Sequence, residues 1–246
     1  MIADPLLDAL AGQVADRPVR RVVIGLNWTL VETAEGCGLA HTPDRGVPGC
    51  RAPDGAGTLA EGGLRALAGL VRSDNPVLVA VGVAAVNAGH AGAAPPGTAT
   101  NGLDLFRPIA GRTVVVGRFP GLADRLPGCA VVERDPRPGE VAEADAAGAI
   151  AGAAGLIITA SALANGGVSR CLALAAGRAD LTVALVGPGT PLAPELFRRG
   201  VHILSGTVVT DPDAAARIIG EGGAVKALAA CTRPVTLTAP GLALLG

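Results

Sequence analysis

The chain has 246 residues, half of them hydrophobic, with 20 basic and 21 acidic side chains and a formal charge of −1. That length suits one large domain or two small ones, and the charge balance excludes the basic footprint of a nucleic-acid binder. One Trp, three Phe and no Tyr leave Ala, Val and Leu to build the core.

The N-terminal "MIADPLLDAL" lacks a basic start and an apolar run, so no secretory signal is expected. "PLLDALAGQVAD" places apolar residues at helical spacing and predicts a first helix. "VRRVVIGLNWTLVE" is β-rich and ends at the turn-forming "TAEGCG"; "GLAHT" then predicts a short returning strand. Residues 43–57 read as a Pro/Gly-rich loop. Thr58 and Glu61 have capping-box spacing before a helix through "LAEGGLRALAGLVR". In "SDNPVLVAVGVAAVNAGH" the valines favour strand. Its length, a cap at Ser73 or Asp74, and Pro76 in the first turn favour helix, which is the reading preferred. The longer apolar stretch from Pro76 is interrupted by Gly, Asn and His, so no membrane span is expected.

"AGAAPPGTATNG" (91–102) reads as a linker, with a domain boundary expected between residues 91 and 108. Beyond it lie five short β-rich runs: "RTVVVG", "CAVVE", "GLIIT", "LTVALVG" and "VHILSG". Continuous apolar strands alternating with helices predict a parallel sheet covered on both faces. The expected class is therefore α/β, with an α+β domain over 1–95 followed by a Rossmann-like domain over 96–246. Ligands of such sheets bind beyond the carboxyl ends of the strands. That rule selects "GRFPG", "ERDPRPGE", "TASALANGG", "GPGTPLAPELF" and "SGT".

The ordered segments "IGLNWTLVE…GLAHT", "VVVGRFP", "VVERDPRPGE", "IITASALANGG", "GPGTPLAPELFRRGV" and "LSGTVVTDPD" resemble a family of bacterial and archaeal heavy-metal chelatase-like proteins. The resemblance covers roughly the whole chain. It implies an enolase-N-terminal-like domain joined to a Rossmann-like domain, with the site in the cleft between them. Two positions depart from the pattern: Ala160 stands where Gly is frequent, and Gly189 where Ser is frequent. The second removes a hydroxyl that could touch a ligand.

Scarce, chemically able residues gather in 25–42. Strand alternation puts Trp28, Leu30 and Glu32 on one face. Trp28 is then core filling or a flat wall for a planar ligand, and Glu32 is expected near the cleft. Cys37, His41 and Cys50 have spacing C-x3-H-x8-C and are candidate ligands for a thiophilic divalent metal, although structural zinc sites pair their ligands more tightly. The bland reading is a hairpin with a small turn cysteine. The five cysteines are odd in number and form no CxxC pair, so a disulfide framework is not expected and a cytoplasmic protein is.

Glu133 ends the second strand of the later half, where an acid can bond ribose hydroxyls, but "GRFPG" is not the GxGxxG of ordinary dinucleotide binding. Ser161 and Asn165 follow the third strand, as ligand contacts or as helix caps. Thr190 precedes Pro191 at an expected helix start, where an anion could sit. The leading function is handling of a metal or metal–organic ligand at the cleft, with Glu32 and Glu133 as acid–base groups and Trp28, Ser161, Asn165 and Thr190 as ligand contacts. Whether this is enzymatic chelation is left open. The rival is a non-catalytic module for an anionic or nucleotide-like small molecule. A small-molecule or metal ligand is the expected partner, nucleic acid and membrane are not, and a homo-oligomer is allowed.

Overall fold

The computed structural model describes residues 4–43, 52–92 and 97–242. Helix α1 (Pro5–Gly12) begins where Asp4 accepts the backbone N–H groups of Leu6 and Leu7. Three antiparallel strands follow: β1 (Val19–Ile24), β2 (Trp28–Thr33) and β3 (Cys37–His41), in that order across the sheet. "VRRVVIGLNWTLVE" is thus two strands, folded back at residues 25–27. The Gly25 N–H donates to the Trp28 carbonyl across this turn, at 2.9 Å. Trp28 lies opposite His41 and Glu32 opposite Cys37, the pairing expected of "NWTLVE" and "GLAHT".

The "LAEGGLRALAGLVR" segment is not one helix. A 3-10 turn (Leu59–Gly62) gives way to α2 (Gly63–Gly69) and a second 3-10 turn (Leu70–Arg72). The break falls at Gly63, whose φ of +78° is closed to a helical continuation. Thr58 donates to the Gly55 carbonyl instead of capping. The ambiguous valine-rich segment is helix α3 (Pro76–Ala91). Its cap is Asn75, not Ser73 or Asp74: Asn75 Oδ1 accepts from Val77 at 2.9 Å, with Pro76 in the first turn. α3 is buried almost all round, which is why its composition suits a strand as well as a helix.

The later half runs β4 (Thr113–Val116), α4 (Leu122–Arg125), β5 (Ala130–Glu133), β6 (Val141–Ala142), α5 (Ala146–Ala151), β7 (Gly155–Thr159), α6 (Gly167–Ala175), β8 (Thr182–Val186), α7 (Glu195–Arg198), β9 (Ile203–Val209), α8 (Pro212–Gly220), α9 (Val225–Leu228) and β10 (Thr232–Thr238). These strands form one seven-stranded sheet, order β10-β9-β8-β7-β4-β5-β6. The five expected runs pair in parallel; β6 also joins in parallel, and β10 is antiparallel on the β9 edge. Pro234 is accommodated because β10 is an edge strand. α7 starts at Glu195, so Thr190–Pro191 begins no helix.

Alternation buries both faces of this sheet. Val115, Ile157, Ala184 and Ile203 pack with Phe106, Leu122 and Leu126 on one side. Val114, Leu156, Ile158 and Leu185 face the other, in a cluster continuous with Leu10, Leu64 and Ala84 of the earlier half. The small sheet lies between α3 and α8: Val31 and Ala40 belong to the cluster containing α3, whereas Leu30 and Leu39 pack with Ala215 and Ile219 of α8. Gly38 lets β3 approach α3 this closely; a Cβ there would stand 2.0 Å from the Ala84 carbonyl oxygen. The two halves therefore share apolar cores. Of the expected linker, residues 93–96 lie outside the described residues. Among the described residues no helix is long and apolar enough to cross a membrane.

Candidate functional site

β4 sits inside its sheet, with β5 and β6 added on one side and β7 to β10 on the other. The chain reverses its direction of growth between β4 and β7, and their following loops diverge. Such a switch point leaves a crevice beyond the carboxyl ends of the strands. Here it opens into a cavity of about 610 Å³, bounded by the loops at Arg118–Pro120, Thr159–Ser161 and Gly187–Gly189 and by Ser205–Thr207 of β9. The small sheet supplies another wall, with Asn27, Trp28 and His41.

Trp28 resolves the choice between core and wall by serving as both. It is 8 % exposed and packs in the cluster of Leu30 and Ile219, yet also lines the cavity. His41, its cross-strand neighbour, meets it edge-on with ring centroids 5.9 Å apart. Among the described residues, none of those lining the cavity is acidic. Its two arginines are already compensated. Arg118 Nε bonds Glu140 at 2.9 Å, and Arg125 Nη1 bonds both oxygens of Asp104 at 3.0 and 2.9 Å. Arg118, with the backbone N–H of Arg137, holds the Glu140 carboxyl down at about 2. Thr159 and Ser161 share a hydroxyl–hydroxyl bond of 2.9 Å. The lining offers an aromatic wall, neutral hydroxyls and amides, and guanidinium groups that would have to exchange partners.

A second cavity of about 380 Å³ adjoins it and shares Arg118, Thr159 and Ser161. Here the structure brings Glu133, Ser161 and Asn165 together beside Gly117. Asn165 Oδ1 also accepts the Gly167 N–H at 2.9 Å, a local turn bond made one residue before Gly166, which is the cap position of α6 and carries no side-chain cap. Glu133 Oε1 is 3.8 Å from Arg118 Nη1.

Other expected residues lie elsewhere. Thr190 is 3 % exposed and lines a separate small cavity between the halves. Glu32 is 6 % exposed and receives Arg21 Nε at 2.6 Å; Arg21 also reaches Asp213 of α8 at 2.7 Å. Four residues along an extended strand span about 13 Å, so Glu32 stands well away from Trp28 and is not among the residues lining the large cavity. Glu32, expected near the cleft, thus stands apart from the large cavity and is held by Arg21. The same spacing separates Cys37 from His41, about 13 Å along β3, too far for one ion. Burial, with Glu32 adding to it, pushes the Cys37 thiol up to about 12, whereas a metal ligand must be a thiolate. Among the described residues no group of three or more His, Cys, Asp or Glu is placed to hold a metal ion. Cys50 lies outside the described residues.

Arg118, Asn27 and Asn101 were not singled out from sequence. Arg118 sits in a loop marked by the strand-end rule, where the absent glycine signature is the more conspicuous feature of the sequence. Asn27 announces itself only as a turn residue; its amide ties the β1–β2 turn to the Gly222 carbonyl at 2.8 Å.

Fold and site together define a doubly wound α/β protein with a chamber at its switch point, walled on one side by a small antiparallel sheet. The chain belongs to the DUF364 family, whose model, described as "Putative heavy-metal chelation", matches residues 101–238. Residues 7–89 match a second model, DUF4213, under the same description. A DUF364 protein of unknown function from Desulfitobacterium hafniense DCB-2 is 27 % identical, with a TM-score of 0.80 over 95 % of this chain and 97 % of that one. Another from Pyrococcus horikoshii has the same fold at 20 % identity, with a TM-score of 0.79 over 97 % of this chain and 100 % of that one. No curated protein matches the chain.

Proposed function

We propose that the protein binds a metal–organic ligand, a metal already wrapped by an organic chelator, in the chamber between the small sheet and the carboxyl ends of the parallel strands. The observation that carries this reading is the lining itself. It pairs a flat aromatic wall, Trp28, with an imidazole, His41, in a space of about 610 Å³ suited to a small organic molecule. The described side chains offer no three-donor cluster for a bare ion. A chelate brings most of its own donors and leaves one position for His41. The family description of heavy-metal chelation supports the same class of ligand.

Chelation with turnover would need a base for the ligand's N–H protons. Glu133, one cavity away across Ser161, is the candidate we assign to that task. A second reading rests on Glu133, Ser161 and Asn165 sharing the smaller cavity: a nucleotide-like ligand with its hydroxyls on Glu133.

Trp28 is the sole tryptophan, so its emission reports on the chamber without interference. Titration with Ni²⁺ alone, with a planar organic chelator alone, and with their complex separates the readings. The complex should quench Trp28 most tightly, and His41→Ala should weaken it about tenfold, as for loss of one good ligand contact. Equal binding of bare Ni²⁺, or indifference to His41→Ala, would sink the proposal. Tight ATP or NAD binding lost in Glu133→Gln would favour the second reading.

A further inference from the structure

Behind the chamber wall, where α3 meets the loop after β8, lies a small, partly open cavity of about 20 Å³. Asn87, His90 and Thr190 line it, with Pro188 and Thr207. Asn87 Oδ1, His90 Nε2 and Thr190 Oγ1 are buried and have no hydrogen-bond partner among the described residues. One stranded buried polar atom is costly, and three around a single space call for a shared partner.

The size limits what that partner can be. A water needs roughly 10–15 Å³ of such space and two to four polar neighbours, and this cavity supplies both. The three groups are a neutral amide oxygen, a hydroxyl and an imidazole, none of which brings the negative charge that a metal ion would demand. Cys37, also at the cavity, clusters with Trp28, Leu30 and Leu39 on the α8 side of the sheet, and its thiol is held protonated by burial. Burial likewise lowers the His90 pKa and favours neutral imidazole.

We propose that this cavity holds one ordered water bonded to Asn87 Oδ1, His90 and Thr190 Oγ1, and that it completes a latch between α3 and the loop after β8. The water donates one proton to Asn87 Oδ1, which can only accept. The Thr190 hydroxyl can give or take, and His90 Nε2 does either according to its tautomer. Asn87 supplies the dry part of the latch. Its Nδ2 donates to Leu39 O of β3 at 2.6 Å and to Gly189 O at 2.9 Å, joining three segments through one amide. Pro188 and Thr207 line both cavities, and Gly189 lines the chamber. The latch therefore fixes part of the chamber's wall, whatever the chamber binds.

A crystal structure of the full chain at a resolution that shows waters is the direct test. One peak should lie at hydrogen-bond distance, about 3 Å, from all three atoms. An empty cavity, direct bonds among the three side chains, or a peak with anomalous metal scattering would each overturn the proposal. Thr190→Val keeps the shape and removes one water partner, while both Asn87 bonds remain. Amide exchange over residues 187–190 should then rise about tenfold while β4 and β5 are unchanged, as for loss of one bridged bond. An equal rise throughout the sheet, or none at 187–190, would show that no local latch exists.

Discussion

Glu32→Gln keeps the side chain's shape and removes its charge, and the structure places the effect in stability, not in binding. The carboxylate is 6 % exposed and takes Arg21 Nε at 2.6 Å, with Arg20 Nη1 farther off at 3.8 Å. Breaking a fully buried ion pair by removing one partner costs about 3–5 kcal/mol, and breaking an exposed one about 0–1. This pair is mixed. The Arg21 side chain is 33 % exposed and keeps Asp213 at 2.7 Å, and Gln still offers an acceptor to Arg21. About 1–2 kcal/mol is therefore expected, which in a chain of this size lowers Tm by about 2–8 °C. Trp28 quenching by the nickel–chelator complex should be unchanged, because Glu32 is not among the residues lining the chamber. Arg21 bridges both carboxylates, so Glu32→Gln and Asp213→Asn should be non-additive in a double-mutant cycle. An unchanged Tm with tenfold weaker chelate binding would refute this and return Glu32 to the ligand.

The pH response has a definite sign. Burial holds His90 and His202 below the ordinary 6.5, and His202 Nδ1 accepts the Val183 N–H at 3.0 Å. The unfolded chain takes up protons near 6.5 before the folded one does, so stability is full above that value and is lost as pH falls through the depressed folded values. Urea midpoints should drop between pH 7.5 and 5; a flat or rising series would contradict the placement of both imidazoles. Residues 1–95 expressed alone should not fold to a rigid state, because Leu30 and Leu39 lose Ala215 and Ile219 of α8. ANS binding and poorly dispersed NMR spectra are the expected result, and a well-dispersed spectrum would refute the shared-core argument.

The parallel strands were legible because they are short apolar runs separated by turn residues, and the strand-end rule then marked the loops around the chamber. Other features were not, for physical reasons. Gly63 breaks a periodic helix through its backbone angle, which periodicity does not carry. β10 hides because its Thr, Arg and Pro suit an exposed edge better than a core strand. Thr190 has the local chemistry of a helix start, but the turn closed by its own N–H onto Gly187 O carries the hydroxyl inward. By sequence, Gly189 reads as a hydroxyl lost from a ligand site. A Cβ there would sit 3.2 Å from Leu39 O, so that position faces β3 and the seam.

The scarce residues of 25–42 cluster because one strand joins two structures. The amino end of β2 carries Trp28, paired with His41, into the chamber. Its carboxyl end carries Glu32 to Arg21 and through it to Asp213 of α8. Both ends use the same face, since α8 covers that face along its length and leaves only the Trp28 end open to the cavity. Alternation alone made Trp28 and Glu32 look like members of one site. Distance along the strand separates them: the aromatic is a wall of the chamber and the carboxylate an anchor for it, tying the small sheet to the later half.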